Sequence, residues 1–156
     1  MGLSKLNNLY RQIILEHSQH PHHHGHLPRA DKSLELRNPT CGDVLTVELA
    51  LKDGKVSEVA FSGTGCTISQ ASASLMTDEV IGKTPKEIEK QVLLFSKMVT
   101  GEVTDEDQLD EVLGDASILA GVAQFPARIK CATLAWKAVY QVLESEGKWW
   151  QKKCLN

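Results

Sequence analysis

Apolar residues recur at three- and four-residue spacing near the start of the chain, which predicts an amphipathic helix from Ser4 to about Ser18. The apolar positions of this helix are Leu6, Leu9, Ile13 and Ile14. We expect Ser4 to act as the N-cap. The helix should end before Pro21, because a residue that precedes proline disfavours the helical conformation.

An alternating pattern comes next and predicts a β-hairpin with one buried face. The alternating apolar positions of its first strand are Leu45, Val47, Leu49 and Leu51. Asp53-Gly54 is a strong hairpin-turn signal, and Val59 and Phe61 lie on the returning strand. A type I turn with a bulge at Gly54 would place the apolar residues of both strands on the same face. A short edge strand from Ser33 to Asn38 is expected before the hairpin.

The later apolar patterns predict three further helices. One runs from about Cys66 to Gly82, one from the Thr84–Glu87 capping box to about Val99, and one from Pro126 to about Glu146. A turn or short helix is expected near residues 118–122. The acidic stretch from Gly101 to Asp115 lacks EF-hand spacing and is interpreted as solvated surface. These elements predict an α+β fold with a small antiparallel sheet of about three strands and helices on one face.

Composition narrows the class of protein. A length of 156 residues predicts one domain, residues 1–156, and the net charge of −3 gives no reason to expect a nucleic-acid partner. The chain has no apolar run of membrane-spanning length, and the pattern at its N-terminus is not that of a signal peptide. Two disulfides are conceivable, but small disulfide scaffolds are far denser in cysteine than this chain, which has four. We therefore expect a cytoplasmic protein whose thiols bind metal or act as catalysts.

The predicted hairpin brings distant thiols together. Cys41 and Cys66 lie about equally far from the turn, so the antiparallel strands return both to the same open end. Asp43 shares the parity of the apolar face, and Cys131 joins the group if the last helix packs there. The predicted ligands are Cys41, Asp43, Cys66 and Cys131, a donor set that suits tetrahedral zinc. The alternative is that these cysteines are small buried apolar residues.

Two other features stand apart from this group. His20–His26 holds five of the six histidines. We interpret it as a solvated loop, because histidines in an unanchored loop lack the surrounding hydrogen bonds that orient metal ligands. A metal site is the alternative for this loop. Cys154 is interpreted as a free surface thiol.

Three motifs give the chain a family resemblance. The segments Asn38–Asp43, Gly63–Ser69 and Arg128–Cys131 resemble those of the IscU/NifU-type iron–sulfur cluster assembly proteins. Within that family the chain is most similar to the SufU branch. Lys130 stands where the scaffold branch has a histidine, and the segment between Cys66 and Cys131 is longer than in that branch. The resemblance implies a SufE/NifU-like fold.

The resemblance also implies a function. It points to a zinc-dependent sulfur acceptor that takes persulfide sulfur from a SufS-type cysteine desulfurase and passes it to downstream iron–sulfur scaffold or acceptor proteins. Cys41 is the expected sulfur-accepting, catalytic residue, because its loop is flanked by Pro39 and Gly42 and can release the metal. Arg128 is expected to face the desulfurase, and Lys130 to help keep the thiols ionised. The alternative for both residues is an ordinary solvated cation. The alternative is a scaffold that binds a transient iron–sulfur cluster.

Overall fold

The computed structural model describes residues 2–38 and 42–144 of the chain. Within these residues, five α-helices, three strands and one 3-10 helix make up an α+β fold. They are α1 (Gly2–Gln19), β1 (Lys32–Asn38), β2 (Asp43–Lys52), β3 (Lys55–Thr64), α2 (Thr67–Val80), α3 (Pro85–Val99), α4 (Glu106–Leu113), the 3-10 helix (Gly114–Gln124) and α5 (Pro126–Glu144).

The strands form one antiparallel sheet in the order β1-β2-β3. The register pairs Val47 with Phe61 and Leu49 with Val59, so the apolar residues of the hairpin share one face. That face is buried in a core to which α2, α3 and α5 contribute, with Phe95 and Trp136 stacked 4.3 Å apart. The predicted fold class is confirmed.

The hairpin turn differs in detail from the expectation. Its loop has two residues, and both have positive φ, 55° at Asp53 and 77° at Gly54. Such a turn matches the twist of the strands without a bulge at Gly54, so the predicted bulge position is wrong. The extra residue is Ser57, where the register shifts between Ala50 and Leu51, and its Oγ donates to the Ala50 carbonyl (3.1 Å). A bulge on the return strand restores the shared apolar face.

The helix boundaries mostly agree with the sequence. α1 begins at Gly2, so Ser4 lies inside the helix and is not its N-cap, and α1 ends before Pro21. The capping box is confirmed, with Glu87 N–H donating to Thr84 Oγ1 (3.2 Å) and Thr84 N–H donating to Glu87 Oε1 (2.9 Å). The end predicted for α5 near residue 146, and Cys154, lie outside the described residues.

The acidic stretch contains a helix that the sequence analysis did not predict. The carboxylate side chains of α4 are exposed, as expected, while Leu109 and Leu113 are buried in the core. Asp105 caps this helix through the backbone N–H groups of Asp107 and Gln108. The spacing of these two leucines, four residues apart, was the sequence signal for a short amphipathic helix.

The histidine-rich segment is anchored to the body. Gly25 N–H donates to the Phe61 carbonyl (2.8 Å), and Phe61 N–H donates to the His23 carbonyl (3.1 Å), so the segment runs along the outer edge of β3. His26 Nδ1 lies 2.6 Å from Glu48 Oε2. The histidine side chains remain largely exposed, as expected, but the expectation of an unanchored loop is wrong. Covering β3 in this way also protects a sheet edge from unwanted pairing.

Candidate metal centre

Three of the four predicted ligands lie together. One ligand atom from each of Asp43, Cys66 and Cys131 falls within 4.8 Å of the others. Asp43 is the first residue of β2, Cys66 is the N-cap of α2, and Cys131 lies in the second turn of α5. The structure therefore brings these three predicted ligands together, and their binding of a metal stays a prediction. Cys41 lies outside the described residues, so its place beside them stays a prediction.

The sheet register explains why Asp43 and Cys66 meet. The last pair of the β2–β3 ladder is Val44 with Thr64, so Asp43, which begins β2, and Cys66, two residues after β3, lie at the same end of the sheet. There Asp43 Oδ1 accepts a hydrogen bond from the Cys66 N–H (3.0 Å). Asp43 is only 2% exposed. The hydrogen bond offsets part of the free-energy cost of burying its carboxylate.

Gly65 allows the close approach of these groups. A Cβ at this position would collide with Ser69 Oγ and lie 3.0 Å from Asp43 Oδ1. Ser69 is fully buried, and its hydroxyl donates to the Cys66 carbonyl (3.0 Å). Glycine is therefore needed here to let the first turn of α2 pack against the carboxylate. Sequence reasoning did not assign Ser69 to the site, although the small residues around Cys66 were the signal for it.

Hydrogen bonding favours the ionised form of Cys66. Burial raises the pKa of the Cys66 thiol, but hydrogen bonds from the backbone and side chain of Ser69 and from Cys131 outweigh burial. The pKa is lowered overall, even though the charge of Asp43 opposes ionisation. A thiol with a lowered pKa is a better metal ligand and nucleophile near neutral pH.

Arg128 is the cation that lies against the thiols. Its guanidinium pKa is raised, first by a hydrogen bond to Cys131 and then by the charges of Cys66 and Cys131. Arg128 is also exposed, so it can face a partner at the same time. Lys130 is exposed and lines a groove of about 250 Å³ beside Arg37 and Asn38 of β1. The roles of Arg128 in partner binding and of Lys130 near the thiols stay predictions.

The donor set fits a zinc ion. Two sulfurs and one carboxylate oxygen are ligand types that zinc prefers, at about 2.3 Å for sulfur and 2.0–2.2 Å for oxygen. A tetrahedral ion would need its donors roughly 3.4–3.8 Å apart, and the observed group within 4.8 Å requires only a small closure. The fourth position is the one that Cys41 is predicted to take.

The lowered pKa of Cys66 gives a first testable prediction. In metal-free protein, Cys66 should be alkylated at lower pH than an ordinary thiol, because the thiolate is the reactive form and appears once the pH passes the lowered pKa. Ser69→Ala should move the alkylation profile to higher pH and slow the reaction several-fold at neutral pH. Peptide mass spectrometry across a pH series measures this.

The matched control for this prediction is Ser57→Ala, which removes a serine hydroxyl at the bulge of β3. It should leave the Cys66 profile unchanged. A Ser69→Ala profile that coincides with that of the parent protein would show that Ser69 does not stabilise the thiolate.

With this geometry described, comparison with known proteins assigns the family. Residues 9–132 match the NifU-like N terminal domain. The chain belongs to the IscU/NifU family. The match includes all three predicted cysteine ligands and Asp43, and it extends from α1 into α5. The predicted family is thereby confirmed, and relatives on the SufU branch support the finer resemblance.

Some of the IscU/NifU relatives are named as scaffold proteins, and one is named as a sulfurtransferase. The chain is 48% identical to "Iron-sulfur cluster assembly scaffold protein IscU" of Streptococcus pyogenes serotype M1, over 92% of this chain and 88% of that protein. It is 42% identical to "Zinc-dependent sulfurtransferase SufU" of Bacillus subtilis, over 92% of this chain and 96% of that protein. A crystal structure of a putative scaffold protein for the SUF system from Fervidobacterium islandicum superposes with a TM-score of 0.78 at 33% identity, covering 85% of this chain and 94% of the other.

Within residues 2–38 and 42–144, no helix is long and apolar enough to cross a membrane.

Proposed function

We propose that this chain is a zinc-dependent sulfur acceptor in iron–sulfur cluster assembly. It takes sulfur from a SufS-type cysteine desulfurase through Cys41 and delivers it to a downstream scaffold or acceptor protein in the cytoplasm, acting as a single domain. The observation that carries this proposal is the group formed by Asp43, Cys66 and Cys131 with Arg128 against its thiols. The similarity to the B. subtilis sulfurtransferase supports it.

Zinc would be held by Asp43, Cys66, Cys131 and Cys41. When bound, zinc keeps thiols in the thiolate form at neutral pH. Cys131 is fully buried and held in α5, and Cys66 is fixed at the N-cap of α2 by its bond to Asp43. These two are therefore poorly placed to leave the centre. Cys41 is joined to the sheet through Gly42, whose φ of +77° is in the region that glycine adopts without strain.

The chemistry of the sulfur step is thiol–disulfide exchange. The Cys41 thiolate attacks the outer sulfur of the desulfurase persulfide, forming a new S–S bond on Cys41. The S–S bond of the desulfurase breaks, and its cysteine leaves as a thiolate. No net oxidation or reduction is needed, because one persulfide is exchanged for another.

Arg128 contributes positive charge to this step. Its guanidinium bonds to Cys131 and lies near the charge of Cys66, so it offsets the accumulation of negative charge where several thiolates meet. The same side chain is exposed and can approach the desulfurase. A single cation can in this way serve both the thiolate centre and the partner surface.

A second candidate function is a scaffold on which an iron–sulfur cluster is assembled and released. The 48% identity to the S. pyogenes scaffold favours it. Two cysteine sulfurs and a carboxylate oxygen, with Cys41, can also hold iron, since thiolates are the usual cluster ligands. In this case the cluster is cargo and not a resident group.

Metal content and desulfurase activity together test the proposal. As purified without oxygen, the protein should hold at least about one zinc per chain and no acid-labile sulfide. Adding it to a SufS-type desulfurase should raise the rate of alanine formation from cysteine and leave a persulfide on Cys41. A brown, oxygen-labile cluster with no effect on desulfurase turnover would overturn the sulfur-acceptor proposal and support the scaffold.

A further inference from the structure

A second group of potential metal ligands lies where the histidine loop meets α2. One ligand atom from each of His17, His22 and Asp78 falls within 4.8 Å of the others. His17 belongs to α1, His22 to the loop and Asp78 to α2. Asp78 lies twelve residues after Cys66, so about 18 Å of helix separates the two groups. This group is therefore distinct from the thiol centre.

Hydrogen bonds already orient the members of this histidine–aspartate group. Ser74 Oγ lies 2.7 Å from His17 Nδ1 and accepts the backbone N–H of His22 (2.8 Å). His22 Nδ1 lies 2.6 Å from Asp78 Oδ2. Metal-ligating histidines are usually held by such hydrogen bonds, which fix the orientation of the ring. The group thus has the surrounding contacts that a solvated loop lacks.

The electrostatic setting keeps His17 available as a ligand. His17 is 8% exposed, and burial together with the neighbouring His22 lowers its pKa, while the charges of Asp78, Asp115 and Glu16 act in the opposite direction. A neutral imidazole is the form that binds metal. Asp78 supplies negative charge that offsets part of the charge of a divalent ion.

We propose that His17, His22 and Asp78 form a second metal site, for a divalent first-row ion of the zinc type. Two imidazoles and a carboxylate suit such an ion, with water completing the tetrahedron. Its donors would need to lie about 3.4 Å apart. The side chains of His22 and Asp78 are 49% and 31% exposed and have room to adjust.

An ion at this site would join three parts of the chain. It would link α1 and the loop to α2, the helix whose N-cap is Cys66. His23 would support the same arrangement, because its Nδ1 lies 2.9 Å from Thr77 Oγ1 and 3.5 Å from Asp78 Oδ1. The inference does not depend on the sulfur-acceptor proposal, since none of these residues belongs to the thiol centre.

Cobalt titration of untagged protein tests the second site. The thiol centre is first filled with one equivalent of Zn²⁺, and Co²⁺ is then added. We expect one further equivalent to bind with visible d–d bands and without a thiolate-to-cobalt charge-transfer band, since the ligands are nitrogen and oxygen. His22→Ala should weaken this binding at least about tenfold, and Asp78→Asn by a similar factor.

The matched control is His24→Ala. His24 lies in the same loop, but its ring packs edge-on against Phe61 (5.2 Å) and does not belong to the histidine–aspartate group. Its replacement should leave the cobalt affinity within about twofold of the parent value, well below the effect of losing a ligand or its orienting partner. Absence of a sulfur-free cobalt equivalent, or equal losses in His22→Ala and His24→Ala, would overturn the proposal. Circular dichroism of each variant confirms that the fold is intact.

Discussion

Cys41→Ala is expected to lower sulfur uptake from the desulfurase at least about 100-fold, because it removes the nucleophile itself. Zinc should remain bound, at reduced affinity, through Asp43, Cys66 and Cys131, whose ligand atoms lie within 4.8 Å of one another. Incubation with desulfurase and cysteine, followed by mass spectrometry of persulfidated peptides, measures the uptake. Zinc content is determined on the same samples.

Cys154→Ala is the control for this experiment, since it removes a thiol outside the proposed centre. It should accept sulfur at the rate of the parent protein. Undiminished persulfide formation by the Cys41→Ala protein would show that another thiol is the acceptor, and Cys66 would then be the first to examine.

Asp43→Ala is expected to lower zinc affinity at least about 100-fold, because it removes a ligand and an orienting contact at the same time. The carboxylate that accepts the Cys66 N–H is lost, so the thiol loses its fixed position as well. A partly buried N–H left without its acceptor also costs roughly 1 kcal/mol of stability. Competition with a chromophoric chelator measures the affinity, and circular dichroism checks that the sheet persists.

Two variants sharpen the Asp43 experiment. Asp43→Asn retains an acceptor for the Cys66 N–H while removing the charge, so it should keep the fold and still bind zinc weakly. Asp107→Ala removes an exposed carboxylate of α4 and should leave the zinc affinity unchanged. If zinc affinity were unchanged in Asp43→Ala, Asp43 would not be a ligand.

The pairing of Asp43 with Cys66 could be predicted because it follows from a local signal. The Asp53-Gly54 turn determines which residues oppose each other, and alternation of apolar residues determines which face is buried. The position of the bulge could not be obtained in this way. A bulge at Gly54 and one at Ser57 give the same buried face, and only the backbone conformation of the turn distinguishes them.

Other features of the site could not be predicted from the spacing of residues along the chain, because they depend on tertiary packing. Arg128 and Lys130 are both cations next to Cys131 in sequence, yet the structure places Arg128 against the thiols. The rotation of α5 about its axis decides which of these two side chains points toward the thiols. Likewise, the anchoring of the histidine loop required Ser74 and Asp78, which lie more than fifty residues away.

The three predicted ligands that the structure brings together come from the first strand of the hairpin, the start of the helix after it and the last helix of the described residues. A truncated chain that stops before α5 lacks Cys131 and cannot assemble the group. During synthesis on the ribosome, the ion's binding site is therefore completed only after α5 has emerged and packed. Metal binding at the proposed centre would thus report that α5 has packed against the hairpin and α2.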